Sequence, residues 1–344
     1  MNSSEIAQEQ SSGWNKFVEF INKLGFNPLG LSLLIIIAAL PASIPYFRQE
    51  YIVRWMIMGA FLAAQSIAFD FTSGYINVVN FGFAALLGVG AYASGIFSNV
   101  TPFIAVAPGL NPWISIWLGA IVAGIVGFAL GILTLRLRGI FAAVMAWFLG
   151  IALMGLVNNW TALTRGPLGM NPRKFLETTD NLPYFYIIFT MMIGIYITLK
   201  LVTRSHYGLA FKAIGQNLDA ARASGINPIR YLVFNFTLSA FFAGFLGGFY
   251  AHYFGSLTPS TLMHTSKTVE ILAIAYIGGR GSLWGGIAVA FPFVFLIELL
   301  RTNFSDLPGL HLVIYGVLMI IIMIYYPGGL AGFYNWIKSK VQKK

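Results

Sequence analysis

The chain has 344 residues, of which 58% are hydrophobic and only 9% charged, against about 25% charged in ordinary soluble domains. So little charge cannot cover the surface of a soluble protein of this length, and a net charge of +10 then reads as loop lysines and arginines that set membrane topology, not as a nucleic-acid surface. There is no cysteine, which excludes disulfides, thiolate metal sites and a cysteine nucleophile.

Residues 1–13 are polar, with Glu5 and Glu9 where a signal peptide would carry positive charge. Trp14, Phe17, Val18, Ile21 and Leu24 then recur at helical spacing, with Lys16, Glu19 and Lys23 between them. This predicts an amphipathic helix on the membrane surface, within a cytoplasmic tail of residues 1–28. Ten apolar blocks follow, at 29–47, 51–70, 80–98, 112–135, 139–158, 183–202, 231–253, 268–282, 283–301 and 311–326. Each is close to the roughly 20 residues that span a bilayer. The third is rich in glycine (Gly82, Gly88, Gly90, Gly95), and the eighth is short and ends in Gly278-Gly279-Arg280-Gly281. These two are the candidates for broken or re-entrant segments, which membranes tolerate only where backbone faces protein or water. In the fourth block, Gly119, Gly124, Gly127 and Gly131 read as a helix-packing surface.

The expected fold is an all-α integral membrane protein, a polytopic bundle of about ten transmembrane spans with both termini cytoplasmic. The transmembrane domain covers 29–335, with 203–230 as a cytoplasmic loop, and a basic cytoplasmic tail covers 336–344. With ten spans and the N-terminus inside, 14 of the 21 basic residues fall on the cytoplasmic side and 7, Lys267 among them, on the outer side. The positive-inside rule favours this orientation.

No Walker-type phosphate loop, H-E-x-x-H zinc motif or Gly-x-Ser-x-Gly elbow occurs. The four histidines, His206, His252, His264 and His311, form no ligand pattern. The chain is therefore expected to serve transport and not to be an enzyme, with no metal or cofactor of its own. Only Asp70, Glu270 and Glu298 among the acids touch the apolar blocks. A charge at a helix centre costs about 2.5–3.5 kcal/mol on insertion scales, but all three lie near block ends or beside a basic partner, Arg301 for Glu298. Structural or interfacial roles are expected for them.

The loop 203–230 carries a mechanism. Phe211, Ile214, Leu218, Ala221 and Gly225 are spaced three, four, three and four, one apolar stripe on a short helix. Lys212, Gln216, Asn217, Asp219 and Arg222 lie off it. Gly225 suits a left-handed C-cap, and Pro228 blocks continuation. Two readings compete: the stripe rests on the membrane interface, or it fills a groove on a cytoplasmic partner.

Asp219-Ala220-Ala221-Arg222-Ala223-Ser224-Gly225 resembles the E-A-A-x-x-x-G coupling motif of ABC importer permeases, with Asp for Glu. Ser73-Gly74-Tyr75-Ile76-Asn77-Val78-Val79-Asn80-Phe81-Gly82-Phe83-Ala84-Ala85 resembles the signature of the LivM-type branched-chain amino acid permeases, a family that also includes urea permeases. Thr164-Arg165-Gly166-Pro167-Leu168-Gly169 is similar to their outer Gly-rich segment, and Gly278-Gly279-Arg280-Gly281-Ser282-Leu283-Trp284-Gly285 to their Gly-rich turn. The matches keep the family's order over about 50–330. Departures fall at Asn77, Asn80 and Phe83, where relatives commonly carry Gly, Ser and His.

The resemblance implies an importer permease. A solute-binding protein outside the membrane delivers a branched-chain or related hydrophobic amino acid, and cytoplasmic ATPase subunits carry the ATP. These engage the loop through Asp219, Ala220, Ala221, Arg222 and Gly225. A paralogous permease completes a heterodimer. The signature places Asn77, Asn80 and Phe83 as candidates for the translocation pathway. Urea or short amides are the alternative solutes, and an ATP-independent secondary or facilitative carrier is the alternative mechanism.

Overall fold

A computed structural model describes residues 28–99, 109–134, 139–178, 180–303 and 310–325, with Leu137, 328–330 and Gly332. The amphipathic stretch 14–24 and the lysine-rich end lie outside the described residues. Every apolar block of the sequence is a helix, and there is no strand among the described residues.

Helix α1 spans Pro28–Ser43, α2 Glu50–Ser73, α3 Phe83–Ser98, α4 Pro112–Thr134, α5 Ile140–Asn159 and α6 Leu182–Arg204. Two short helices, α7 (His206–Gln216) and α8 (Leu218–Ala223), precede α9 (Pro228–Phe254). Helices α10 (Thr265–Gly278), α11 (Trp284–Asn303) and α12 (Leu310–Tyr325) complete the fold. Five of these, α2, α4, α5, α6 and α9, are long and apolar enough to cross a membrane. The two blocks expected to be broken are short, though α1 and α12, at 16 residues each, are no longer than α3. Helix α3 has 16 residues and α10 has 14. At 1.5 Å per residue they reach about 24 and 21 Å, less than a hydrocarbon core of about 30 Å.

Helix α2 is the central post, with 83% of its most apolar stretch buried, whereas only 28% of α5 is buried. One layer is α3, α4 and α9, locked through small residues. A Cβ on Gly90 would collide with the Gly244 backbone, one on Gly119 with the Gly90 carbonyl, and one on Gly127 with Ala240. The glycine run of α4 is thus a packing surface. Helices α6, α10 and α11 close around α2 from the other side. Polar side chains bond across the layers: Ser239 Oγ donates to the Ala68 carbonyl at 2.7 Å, and Asn235 Nδ2 to that of Phe71 at 2.9 Å. Outward residues of α4 and α5 such as Trp117, Ile125, Phe141 and Phe148 are exposed and apolar, as a lipid-facing or subunit-facing surface requires.

Candidate functional site

The predicted coupling helix is two helices. At Asn217 the backbone turns extended (φ −153°), and its side-chain oxygen accepts from the amides of Asp219 and Ala220, both at 3.0 Å. An asparagine that captures these donors starts a new helix instead of continuing the old one. Helix α8 ends as expected. Gly225 has φ +81°, its amide donates to Arg222 O at 3.0 Å, and Ile226 donates to Ala221 O at 3.1 Å. That pair of bonds is a Schellman cap.

Most of the apolar stripe turns into the chain's own bundle. Phe211, Ile214 and Ala221 are buried, and the Phe211 ring stands edge-on to Phe71 at 5.5 Å and packs on Tyr231 and Phe234. This overturns both readings of the stripe. The chain's own helices cover it, which fixes α7 and α8 to the bundle. On α8 what faces outward is small and polar: Ala220, Ala223, Gly225 and the exposed pair Asp219–Arg222 at 3.7 Å, while α7 also exposes Leu209.

The signature segment lies directly beneath. Gly215 approaches the Tyr75 carbonyl so closely that a Cβ there would collide with it. Five residues before Tyr75, the carboxylate of Asp70 reaches the Gly-rich turn. Its Oδ1 accepts from Gly281 N at 2.8 Å and its Oδ2 from Leu283 N at 3.1 Å. Leu283 and Asn77 both hold positive φ, 55° and 58°, costing about 1–2 kcal/mol each for an L-residue. At Leu283 the bond to Asp70 offsets that cost, since hydrogen bonds to a charged group contribute about 1.5–3 kcal/mol. Arg280 donates to Asn77 Oδ1 and lies over the Tyr276 ring at 5.2 Å. The backbones of Gly278 and Gly285 touch, leaving no room for a Cβ on either. Coupling helices, signature segment and Gly-rich turn therefore form one connected body. Asp70, expected to be structural, is its clamp.

Asn77, Asn80 and Phe83 do not share one space. Asn77 is exposed at the turn. Phe83 is fully buried, edge-on to Phe69 at 5.7 Å. Asn80 is 1% exposed, and its Oδ1 accepts from Gly82 N at 3.0 Å while Nδ2 has no partner among the described residues.

At the opposite end, Met170 and Leu257 pair as an isolated bridge, and the Gly-rich segment 164–169 turns through positive φ at Arg165, Gly166 and Gly169. His252 is buried there, with Nδ1 donating to Arg173 O at 2.6 Å and Nε2 accepting from Ser94 Oγ at 2.8 Å. A carbonyl only accepts, so the proton sits on Nδ1.

From Leu257 the chain does not leave the bundle. It runs back along α3, with Leu257 beside Gly95 and Met263 against Gly88, until Thr268 Oγ1 accepts from Ala84 N at 3.1 Å. Lys267, assigned by spacing to the outer side, is therefore level with the start of α3, with its side chain 47% exposed. It pairs with Glu270 at 3.0 Å, beside His264 and Ser266. The run His264-Thr265-Ser266-Lys267-Thr268-Val269-Glu270 ahead of the weak eighth block was the available signal for this face. The side chain of Arg301, the suggested partner of Glu298, lies outside the described residues.

A multi-pass helical bundle with a docked cytoplasmic-type loop and two short internal helices is the architecture of a membrane transport subunit. The chain belongs to the branched-chain amino acid transport system permease component family, whose model matches residues 51–323. It is similar to the branched-chain amino acid permease protein LivM of Salmonella typhimurium, 26% identical over 328 residues, 87% of this chain and 73% of the relative. The LivM of Escherichia coli K12 is 27% identical over 285 residues, 75% and 64% of the two chains. A nucleoside ABC transporter permease, NupC of Lactococcus lactis, is 27% identical over 204 residues, 54% and 62%. No solved structure matches the chain. The protein is a multi-pass permease of the cell membrane.

Proposed function

We propose that this chain is the permease subunit of an ABC importer that moves branched-chain or related hydrophobic amino acids inward. A solute-binding protein delivers them, ATP acts on separate cytoplasmic subunits, and a paralogous permease forms the other half of the pathway. The chain crosses the membrane about ten times with both termini cytoplasmic. Removing Lys267 from the outer side leaves six basic residues there against 14 inside, which supports this orientation further.

The observation that carries the reading is the 205–226 element. Its apolar side is spent on Phe71 and the bundle, so its polar side, with Asp219, Ala220, Arg222 and Gly225, is left to receive an ATPase. Movement imposed on α8 passes through α7 to Tyr75, and from the signature segment to the turn held by Asp70. The solute assignment draws on the two LivM relatives; the NupC relative, named for nucleosides, keeps a second solute class in play.

Purifying the tagged chain from its native membrane in mild detergent tests this. Stoichiometric recovery of a second permease and ATPase subunits is expected. A chain that purifies alone and transports in liposomes without ATP contradicts it and restores the facilitative-carrier alternative.

A further inference from the structure

An ion pair stands within the helical depth of this bundle, between its middle and the coupling end. Thr268 is bonded to Ala84 in the first turn of α3. Six residues on, Gly90 abuts Gly244, in the middle third of the 27-residue α9. The neighbouring Phe83 ring meets Phe69, next to the Ala68 carbonyl that Ser239 binds. Ser239 also lies in the middle third of α9. Lys267 and Glu270 flank Thr268, and the Lys267 side chain is 47% exposed while Glu270 is 14% exposed. A half-exposed lysine at that depth cannot face hydrocarbon, so this side of α10 faces water or protein.

The pair is poorly explained as a helix stabiliser. Lys267 is the third residue of α10, where the helix dipole disfavours a cation. Depth and dipole both oppose it, and one i,i+3 contact offsets little. A ligand that needs one cation and one anion side by side accounts for both charges. Four residues before Ala84, the buried Asn80 adds a spare donor in Nδ2.

We propose that the face of α10 bearing Ser266, Lys267 and Glu270 lines the aqueous route, and that Lys267 receives the carboxylate and Glu270 the ammonium of a passing free α-amino acid. The inference rests on the importer reading above and narrows its solute to zwitterions. A zwitterion opens the pair by exchanging one salt bridge for two and brings no net charge into the bundle. A nucleoside, a sugar or urea offers no full charges and leaves the pair closed.

The intact transporter, reconstituted with its partner subunits, is assayed for ATP-driven uptake of L-leucine, uridine and urea. Lys267→Gln and Glu270→Gln are each expected to lower L-leucine uptake at subsaturating concentration by roughly tenfold or more, chiefly through KM. The exchanged double variant, Lys267→Glu with Glu270→Lys, restores the pair but points it the wrong way, and is expected to assemble without regaining L-leucine uptake. Neutral variants that transport L-leucine normally, or an exchanged pair that regains it, overturn the proposal. A wild-type complex that takes up uridine or urea but not L-leucine instead defeats the solute reading on which it rests. A measurement independent of these charges uses Ser266→Cys, a lone thiol in a cysteine-free chain. A water-soluble, lipid-insoluble thiol reagent should modify it, and L-leucine should slow the reaction. A thiol that never reacts overturns the aqueous route.

Discussion

Asp70 Oδ1 accepts the backbone amide of Gly281 at 2.8 Å, across a separation of 211 residues. Its second oxygen takes Leu283 N, so a single side chain ties the end of α2 to the turn that joins α10 to α11. Glycine at 74 is required for this approach, because a Cβ there would collide with Gly281.

Asp70→Ala leaves two inward amides without their acceptor, each costing about 1–3 kcal/mol. Asp70→Asn keeps one acceptor oxygen and loses the charge. Thermal unfolding in detergent should rank wild type above Asn above Ala, with ATP-driven uptake falling in the same order. Equal midpoints for wild type and Ala would remove Asp70 from its clamp role.

Gly225 has φ +81° and open space where a Cβ would sit. The cost of Gly225→Val is therefore backbone strain, about 1–2 kcal/mol, without steric clash. Asn tolerates left-handed geometry better. Membrane insertion should be normal in both variants, with uptake reduced more in Val than in Asn. Comparing uptake per inserted protein decides it.

Phe211 joins α7 to Phe71 at the end of α2. Truncating such a buried ring costs about 3–5 kcal/mol in a core. Phe211→Ala should loosen the coupling helices from the bundle while α8 keeps its own caps. Solute moved per ATP hydrolysed should fall, though ATPase subunits still co-purify. An unchanged ratio would place transmission elsewhere.

Asn80→Ala removes the acceptor for Gly82 N and the spare Nδ2 donor. Uptake kinetics should shift in KM without loss of ATPase association. Unchanged kinetics would assign Asn80 to packing alone.

The apolar blocks and the Gly225 cap were legible because period, length and φ preference are local properties. The break at Asn217 was not. An unbroken three-four spacing runs through it, and the competing side-chain bond to Asp219 and Ala220 leaves no trace in hydrophobic pattern. Which way the stripe faces depended on Phe71, 140 positions away. The depth of Lys267 was not legible because the irregular first half of a broken span has the composition of a surface loop. Its depth is set by the Thr268–Ala84 bond and by Met263 filling the space at Gly88. Asp70 was recognised as structural, but its two amide partners come from a turn that only folding brings near.

The central claim is that the polar side of α8 receives an ATPase. Because the chain has no cysteine, Ala223→Cys supplies one outward thiol and Ile214→Cys one inward thiol, each to be cross-linked within the purified native complex. The account predicts that Ala223→Cys joins a nucleotide-binding ATPase subunit and that Ile214→Cys does not. A cross-link from Ile214→Cys alone, or no ATPase reached from Ala223→Cys, would contradict it.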